Sequence, residues 1–364
     1  MVSDDLVVKA NKRSKAYYLV LLATAFTLVV VMLGAYTRLA DAGLGCPDWP
    51  GCYGFLSVPE STADIKLAET RFPDSPVEVA KGWPEMVHRY AVGVLGLLVL
   101  TIAGMATQTR LRGRSGQPFK LPLLLLAVII IQALFGMWTV TLKLWPQIVT
   151  AHLLGGFTTL SLLLLLALRY RQQPWTILQK QRLQWRRLQP WALLGLVIVA
   201  LQISLGGWTA SNYAAFACYD LPTCQQQWWP AMDLAAGFNV FQSLGPNYLG
   251  GLMDNEARVA IHMVPRLGAI FTSLYLLILI GLLYRAAGQS ALRRFSYWLV
   301  AILLLQVILG LSNVYWQIPA FIAVAHNAGG AVLLLMMVAL NYLMRSVSVR
   351  STDLGADNRG VNNG

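Results

Sequence analysis

The four histidines of the chain form two pairs that repeat at one spacing. They are His88, His152, His262 and His326, and each member of the second pair follows its counterpart at the same distance along the chain. Each lies in a long apolar segment, where a polar side chain is costly and usually has a function. Neutral imidazole binds haem iron well, and one histidine from each of two neighbouring helices suits a flat macrocycle, whereas zinc usually requires more ligands. The pattern predicts a haem site in each half of the chain, although any single histidine could instead make only a polar contact between helices.

Glu85 distinguishes the first histidine pair from the second. It lies three residues before His88 and therefore shares a helix face with it. At the corresponding positions of the second half, Val259 replaces Glu85 and Met263 replaces Arg89. Proton-coupled chemistry needs a carboxylate that simple electron transfer does not. We therefore predict a catalytic first half and a resident cofactor in the second; the alternative is that Glu85 only stabilises the positive end of the helix dipole.

Small and polar residues repeat together with the histidines. Gln132 and Gly136 correspond to Gln306 and Gly310, and Gly34 and Thr37 correspond to Gly206 and Thr209. Two further glycine pairs, Gly155-Gly156 and Gly329-Gly330, follow His152 and His326. They could leave room for a porphyrin edge or could serve close helix packing. The chain is therefore predicted to be a duplication.

The elements that position these residues are predicted to be membrane-spanning helices. The chain is 57% hydrophobic and 12% charged, against about 25% charged for a soluble domain. Crossing about 30 Å of hydrocarbon takes about 20 apolar residues, and lipid requires the backbone to be helical. Eight such runs occur, at 17–39, 85–107, 120–142, 149–170, 190–211, 257–284, 295–316 and 319–344.

We predict an all-α integral membrane protein whose eight transmembrane helices form two parallel-repeat four-helix bundles. Each half has an even number of spans, so both enter the membrane with one orientation, related by a pseudo-two-fold axis along the membrane normal. The predicted divisions are a tail at 1–16, a first bundle at 17–170, a linker at 171–189, a second bundle at 190–344 and a disordered tail at 345–364.

The distribution of charge predicts the topology. Twenty of the 28 lysines and arginines lie in the two tails and in the loops near 108–120, 169–188 and 285–294. Twelve of the 16 acidic residues lie on the other side, so both termini should be cytoplasmic. The first span is too long for a cleaved signal peptide and is expected to be a retained anchor. The net charge of +12 therefore reflects topology and not nucleic-acid binding.

Two cysteine loops share the pattern C-x-D-x-P-x-C. They run from Cys46 to Cys52 and from Cys218 to Cys224, at nearly the same offset as the histidines. The topology places both outside the cytoplasm, where disulfides persist, and the C-x-x-C spacing of redox motifs is absent. We predict a disulfide in each loop and a structural lid over each haem site. Free thiols, a metal site and a thiol relay in the catalytic half are the alternatives.

Four arginines near the same membrane face are candidates for pairing with haem propionates. They are Arg38, Arg89, Arg258 and Arg266. Snorkelling anchors are the equal alternative. Pro265 could kink the helix just past His262, and Arg266, one turn on, could replace the arginine missing at Met263. The loop tryptophans are predicted to form an interfacial belt and comprise Trp49, Trp83, Trp145, Trp228 and Trp229.

Four segments together resemble the haem A synthase family, over nearly the whole chain. They are GAYTRLADAGLGCPDWPGC, PEMVHR, TAHLLGG and AHNAGG. The resemblance implies an enzyme that oxidises a ring methyl of haem O to the formyl group of haem A for terminal oxidases. It implies that His262 and His326 ligate haem b. It also implies that His88 and His152 face the haem O or haem A site, with Glu85 as the essential carboxylate. The chain departs from the family pattern after His262, where Met263 stands in place of an arginine.

Two other functions are compatible with the same residues. A di-haem membrane cytochrome of the quinone-oxidising kind also needs four histidines, and the parallel duplication permits a transporter or haem exporter. Glu85 without a counterpart favours the enzyme over the cytochrome, and the lack of charges deep in the spans disfavours the transporter. No Arg- and Ser-rich transit peptide precedes the first span, which favours a bacterial inner membrane. Haem O synthase is the expected supplier of substrate, the electron acceptor is unknown, and an oligomer is compatible with the sequence.

Overall fold

The computed structural model describes residues 15–113, 116–171, 176–177, 182–286 and 291–349. Its eight long helices are α1 (Lys15–Leu39), α3 (Val79–Leu111), α4 (Lys120–Thr141), α5 (Pro146–Arg171), α6 (Arg182–Ser211), α8 (Asn255–Ala286), α9 (Ala291–Tyr315) and α10 (Ala320–Arg345). Each contains a segment long and apolar enough to cross a membrane. The prediction of an all-α membrane protein with eight spans is confirmed. Most of the two predicted tails falls outside the described residues.

The loops contain short elements that hydropathy did not predict. They are α2 (Thr62–Arg71), α7 (Leu234–Gly237), a 3₁₀ helix (Ala214–Phe216) and a parallel pair of two-residue strands, β1 (Thr176–Ile177) and β2 (Ser348–Val349). Ser61 caps α2, and its hydroxyl accepts a hydrogen bond from the Asp64 amide at 3.1 Å. Because α2 is short and largely polar, it lacks the long apolar run by which the eight spans were found.

Two apolar clusters hold the long helices together. One is built by α1, α3, α4 and α5 and includes Val20, Val99, Leu125 and Leu163. The other is built by α6, α8, α9 and α10, with two residues of α5, and includes Leu160, Val199, Leu276, Leu299 and Met337. Direct packing follows the same division, since α1 contacts α3 and α5, α4 contacts α3 and α5, and α6, α8, α9 and α10 contact one another in a ring.

The two groups of helices meet along α1, α5, α6 and α10. Packing of α1 on α10, of α5 on α6 and of α5 on α10 joins them. At one end of this contact, the Thr150 and Ser211 hydroxyls lie 2.9 Å apart. Most residues of these two apolar clusters lie toward the other end of the helices, away from the turns that contain the histidines.

Helix α8 continues through Pro265. Proline has no N–H, so the carbonyl of Ile261, four residues earlier, lacks its usual helical donor. The hydroxyl of Thr209 on α6 lies 3.2 Å from this carbonyl and 2.9 Å from the Leu205 carbonyl of its own helix, and it shares its hydrogen between them. The Gln202 amide of α6 in turn donates to the carbonyl of Pro265 at 2.9 Å. Two side chains of α6 therefore stabilise α8 on either side of the proline, next to His262.

Candidate functional site

The ring of His88 lies in a notch on α1. A Cβ atom built on Gly34 would lie 2.9 Å from the His88 Cε1 atom, so only glycine permits this approach. The His88 Nδ1 atom is buried and has no hydrogen-bond partner within the described residues. Helix α1, against which the His88 ring lies, also packs on α5, the helix of His152. The structure therefore brings the two histidines of the first half together.

His152 on α5 has the same relationship to α4. Its ring lies beside Gly136, whose added Cβ would be 3.5 Å from the His152 Cε1 atom. In return, the buried Gln132 of α4 occupies the space beside Gly155 of α5. The Nδ1 atom of His152 is also buried and has no partner in the described part of the chain.

His326 on α10 repeats the arrangement against α9. A Cβ on Gly310 would lie 3.1 Å from the His326 Cε1 atom, and Gln306 occupies the space beside Gly329. The nitrogen of the Gln306 amide is 3.4 Å from the His326 Nε2 atom. The repeat found in the sequence is therefore also a repeat of contacts around the second histidine of each half.

His262 differs from His88. It is buried at 7% exposure, and its Nδ1 atom lies 3.0 Å from the carbonyl oxygen of Ala214 in the 3₁₀ helix. Gly206, the counterpart of Gly34, has no atom within 4 Å of its added Cβ in the described residues. A carbonyl on Nδ1 holds the proton there and leaves the lone pair of Nε2 free to bind a metal. His262 is therefore oriented by its own half.

These residues fit a haem better than a bare metal ion. No group of three or more His, Cys, Asp or Glu side chains that could hold a metal ion occurs in the described residues. A haem needs only one or two protein ligands, because the porphyrin supplies the others. The fit to haem also rests on the buried, unpartnered Nδ1 atoms of His88, His152 and His326 and on the glycines that face the rings.

Glu85 lies against the first cysteine loop. It is 5% exposed, forms an ion pair with Arg89 one turn further on, and accepts a hydrogen bond from the Cys46 amide at 3.0 Å. The sequence placed it on the face of His88 but did not reveal these partners. In the second half the corresponding Val259 and Met263 pack on the disulfide cysteines as an apolar cluster. A buried carboxylate that could accept a proton is therefore present beside one histidine pair and replaced beside the other.

Both cysteine loops contain a disulfide, as predicted. The bonds join Cys46 to Cys52 and Cys218 to Cys224, so none of the four cysteines is free. The alternatives of free thiols and a cysteine metal site are therefore set aside in this structure. Both cysteine loops lie at the same end of the long helices as the four histidines.

An aspartate at the same position organises each loop from inside. Asp48 accepts hydrogen bonds from the amides of Tyr53 at 2.6 Å and Gly54 at 2.8 Å. Asp220 does the same for Gln225 at 2.7 Å and Gln226 at 2.9 Å. Burial alone would raise the pKa of Asp220, but hydrogen bonds from Thr223 and from these two amides lower it below its usual value.

Arg89 and Arg266 fix the two loops to their helices. Arg89 donates to the carbonyls of Asp48, at 2.9 Å, and Gly51. Arg266 donates to the carbonyls of Asp220 at 3.1 Å, Thr223 at 2.9 Å and Cys218 at 3.2 Å. Arg266 therefore makes in the second half the contacts that Met263 cannot make. A role for either arginine in binding propionates stays a prediction.

Arg38 joins the two halves. Its guanidinium donates to the carbonyl of Ala210 at 2.7 Å and lies 3.7 Å from the centre of the Tyr213 ring, with Asp41 at 3.8 Å. Ala210 and Tyr213 are the repeat counterparts of Arg38 and Asp41, which the sequence comparison did not connect. The Nε atom of Arg258, like that of Arg38, is buried without a partner in the described residues, and propionate binding by these two also stays a prediction.

The second cysteine-containing loop also reaches across to the first half. The Tyr248 amide donates to the carbonyl of Lys143 at 3.0 Å, and the Gln147 side chain donates to the carbonyl of Val240 at 2.9 Å. Lys143 and Gln147 border the start of α5, the helix that contains His152. Sequence reasoning missed this contact because no periodicity or motif marks an irregular loop that packs on a distant part of the chain.

Comparisons with known proteins agree on one family. The family model described as cytochrome oxidase assembly protein, COX15-CtaA, matches residues 17–338. A Shewanella oneidensis protein named Heme A synthase is 47% identical over 327 residues, covering 90% of this chain and 96% of its own length. A Caulobacter vibrioides protein of the same name is 25% identical over 366 residues, covering 92% of this chain and 97% of its own.

A third protein with that name, from a Jannaschia species, is 27% identical over 348 residues, covering 86% of this chain and 84% of its own length. The matched region takes in both disulfide loops, the four histidines and all or most of each of the eight long helices. The chain therefore belongs to the COX15-CtaA family of cytochrome oxidase assembly proteins.

Proposed function

We propose that this chain is a haem A synthase, which oxidises a ring methyl of haem O to the formyl group of haem A. The observation that carries the proposal is the 47% identity to a Heme A synthase over 90% of the chain, in a structure with a histidine pair in each half. The di-haem cytochrome is not favoured, because the relatives named above are haem A synthases.

In this proposal the second half holds a resident haem b through His262 and His326. Support comes from the contact of His262 with the Ala214 carbonyl and of His326 with Gln306, which orient both rings. When bound, this haem would supply a redox centre that accepts or donates one electron at a time. Val259 and Met263 put apolar groups where the first half has a carboxylate and an arginine, which suits electron transfer without proton exchange.

The first half would receive haem O between His88 and His152. Both rings have a buried nitrogen without a partner in the described residues, which fits side chains that bind a haem. Glu85 is the buried carboxylate on the helix of His88, and oxidation of a methyl group releases protons. We propose that Glu85 accepts a proton or stabilises positive charge there.

The disulfide loops would cover the two sites as structural lids. Glu85 and Arg89 bind the backbone of the first loop, and Arg266 binds that of the second, so each lid is attached to the helix that contains a histidine. The attachment of Glu85 to the Cys46 amide links the lid directly to the catalytic carboxylate. A structural role is the reading we favour over a thiol relay.

The proposed architecture is two four-helix bundles, spanning 17–170 and 190–344 and joined by a linker at 171–189. The division of the apolar core into one cluster from α1, α3, α4 and α5 and a second centred on α6, α8, α9 and α10 supports it. We further propose a bacterial inner membrane, cytoplasmic termini and outward-facing disulfide loops. The basic loops on the opposite side and the oxidised cysteines support this orientation.

The test is to purify the protein from the membrane, extract its haems and identify them by chromatography and mass. We expect haem b together with haem O or haem A, and conversion of added haem O to haem A when an electron acceptor is supplied. Haem b alone, with no conversion of haem O, would overturn the proposal in favour of the cytochrome.

The histidine assignments are tested in the same preparation. His262→Ala or His326→Ala should abolish the low-spin haem b spectrum, whereas His88→Ala and His152→Ala should keep that spectrum and lose haem A formation. A haem b spectrum unchanged by both second-half substitutions would refute the ligand assignment.

A further inference from the structure

Two helix pairs in this protein interlock in one unusual way. On α9 and α10, the ring of His326 lies against Gly310, and the carboxamide of Gln306 lies against Gly329. Each helix thus inserts one polar side chain into a notch left by a glycine of the other. Residues 306 and 310 are one turn apart, and so are 326 and 329, so the two insertions are stacked along the contact.

The pair α4 and α5 repeats this contact. The ring of His152 lies against Gly136, and the carboxamide of Gln132 lies against Gly155. All four positions correspond to those of the second half at the offset that also relates the histidines. The contact around Gly34 and His88 does not repeat, because Gly206 has no neighbour within 4 Å of its added Cβ in the described residues. The repeated feature is therefore a pair of glycine notches, one filled by a histidine ring and the other by a glutamine carboxamide.

The carboxamides lie where water is scarce. Gln132 is 8% exposed, and a buried amide is costly unless it makes hydrogen bonds. The amide nitrogen of Gln306 lies 3.4 Å from the ring nitrogen Nε2 of His326, while its Oε1 atom is buried with no partner in the described residues. The amide therefore contacts the imidazole with one end and leaves hydrogen-bonding capacity at the other.

We propose that Gln306 and Gln132 are positioning residues that fix the orientation of the imidazoles of His326 and His152. The inference rests on the proposed function, since it assigns a role to residues beside the haem ligands. A ring held between a glycine notch and a carboxamide keeps few orientations before haem binds. Groups that orient a metal-ligating histidine change the affinity or activity of a site by about 10- to 100-fold when removed.

Loss of the positioning glutamine should have a different measurable effect in each half. In the second half, the Gln306 amide would act on haem b through His326, because second-shell hydrogen bonding tunes a haem, so removing the amide should change the spectrum and reduction potential. In the first half, a misoriented His152 slows conversion of haem O while haem b stays as it was. A purely structural glutamine would lower stability without either effect.

The experiment compares Gln306→Leu, Gln306→Asn and Gly329→Ala in the purified, haem-loaded protein. Leucine keeps the bulk in the notch and removes the amide, whereas alanine at 329 displaces the amide without removing it. We expect both to shift the electron paramagnetic resonance g values and the midpoint potential of haem b, with partial recovery in Gln306→Asn. Gln189→Leu is the matched control, because the Gln189 amide joins α6 to the Met344 carbonyl of α10, at the end of the helices opposite the histidines.

The first-half variant Gln132→Leu should lower the rate of haem O conversion by about 10-fold or more and leave the haem b g values unchanged. If Gln306→Leu fails to retain haem, Gly329→Ala provides the second measurement. Wild-type g values and potential in the Gln306 and Gly329 variants would overturn the inference. Because those signals come from haem b and need no turnover, a wild-type protein that fails to convert haem O would overturn the proposed function separately.

Discussion

Arg89 and Arg266 bind corresponding carbonyl groups of the two disulfide loops from different positions on their helices. The carbonyls of Asp48 and Gly51 are the repeat counterparts of those of Asp220 and Thr223. The repeat counterpart of Arg89 is Met263, and Arg266 lies three positions beyond it, which is nearly one helical turn. Arg266 therefore stays on the loop-facing side of α8. Both disulfide loops are therefore bound by an arginine of the neighbouring helix, although the two arginines occupy different positions in the repeat.

Arg266→Met should release the second loop. Three carbonyls lose a charged donor, and each such bond contributes about 1.5–3 kcal/mol. We expect faster hydrogen exchange of the amides of 218–227, measured by mass spectrometry, with haem b retained. Adding Met263→Arg, which restores the position used by Arg89, should recover part of the protection. Unchanged exchange in the single variant would show that the disulfide alone holds the loop.

The same loop should respond to acid through Asp220. Its pKa is below the usual value of about 4 in the folded protein, because Thr223 and the amides of Gln225 and Gln226 bind the carboxylate. A lowered folded-state pKa adds stability above the unfolded pKa, and this stability is lost as pH falls through the folded pKa. Protection of the Gln225 and Gln226 amides, corrected for intrinsic rates, should therefore fall only at a pH below about 4.

Asp220→Asn is the control for that titration. The side-chain oxygen can still accept one hydrogen bond but no longer titrates, so protection should be weaker and independent of pH over the same window. An acid-induced loss of protection that is equally large in Asp220→Asn would assign the effect to another group.

Sequence patterns predicted the spans and the histidine pairs because both depend on local or repeated features. Hydropathy located all eight long helices, and the common offset between the halves paired His88 with His262 before any contact was known. The partners of Arg38 and Tyr248 could not be predicted in this way. These partners lie in the other half of the chain. Arg38 binds the carbonyl of Ala210 and Tyr248 binds the carbonyl of Lys143, and the positions of both carbonyls follow only from the way the two halves pack.

Glu85 shows the same limit within the site. Helical spacing placed it near His88, but its bond to the Cys46 amide depends on the path of a loop much earlier in the chain. The glutamines were visible as repeat markers, yet their place beside the glycine that follows each histidine emerged only from the packing of the facing helices. The sequence repeat thus identified the candidate site residues, and the packing of the helices and loops identified the residues that each of them contacts.

Arg38→Met should weaken the contact between the halves. It removes a charged hydrogen bond to the Ala210 carbonyl and the contact with the Tyr213 ring, together worth about 2–4 kcal/mol. We expect a lower unfolding temperature, followed by loss of haem b absorbance on heating, with an unchanged spectrum before unfolding. Arg71→Met is the matched control, since Arg71 faces the Phe55 ring within one loop. An altered haem spectrum in Arg38→Met at low temperature would instead support propionate binding.

Substitutions of Glu85 separate its chemistry from its attachment to the loop. Glu85→Gln keeps an oxygen that can accept the Cys46 amide but removes the charge that pairs with Arg89, whereas Glu85→Ala removes both. If the carboxylate acts on haem O, both variants should retain haem b and lose haem A formation, by about 100-fold or more for a missing acid–base group. Only Glu85→Ala should also speed hydrogen exchange in the first cysteine loop.

Glu78→Gln is the control for these variants, because the Glu78 side chain forms an exposed ion pair with Lys81 at the start of the same helix. It should leave haem A formation and loop exchange unchanged. Full activity in Glu85→Gln would remove the charge of Glu85 from the mechanism and leave it the role of holding the lid. Activity lost in Glu85→Gln with a protected loop would assign that charge to the reaction itself, since the lid would still be in place.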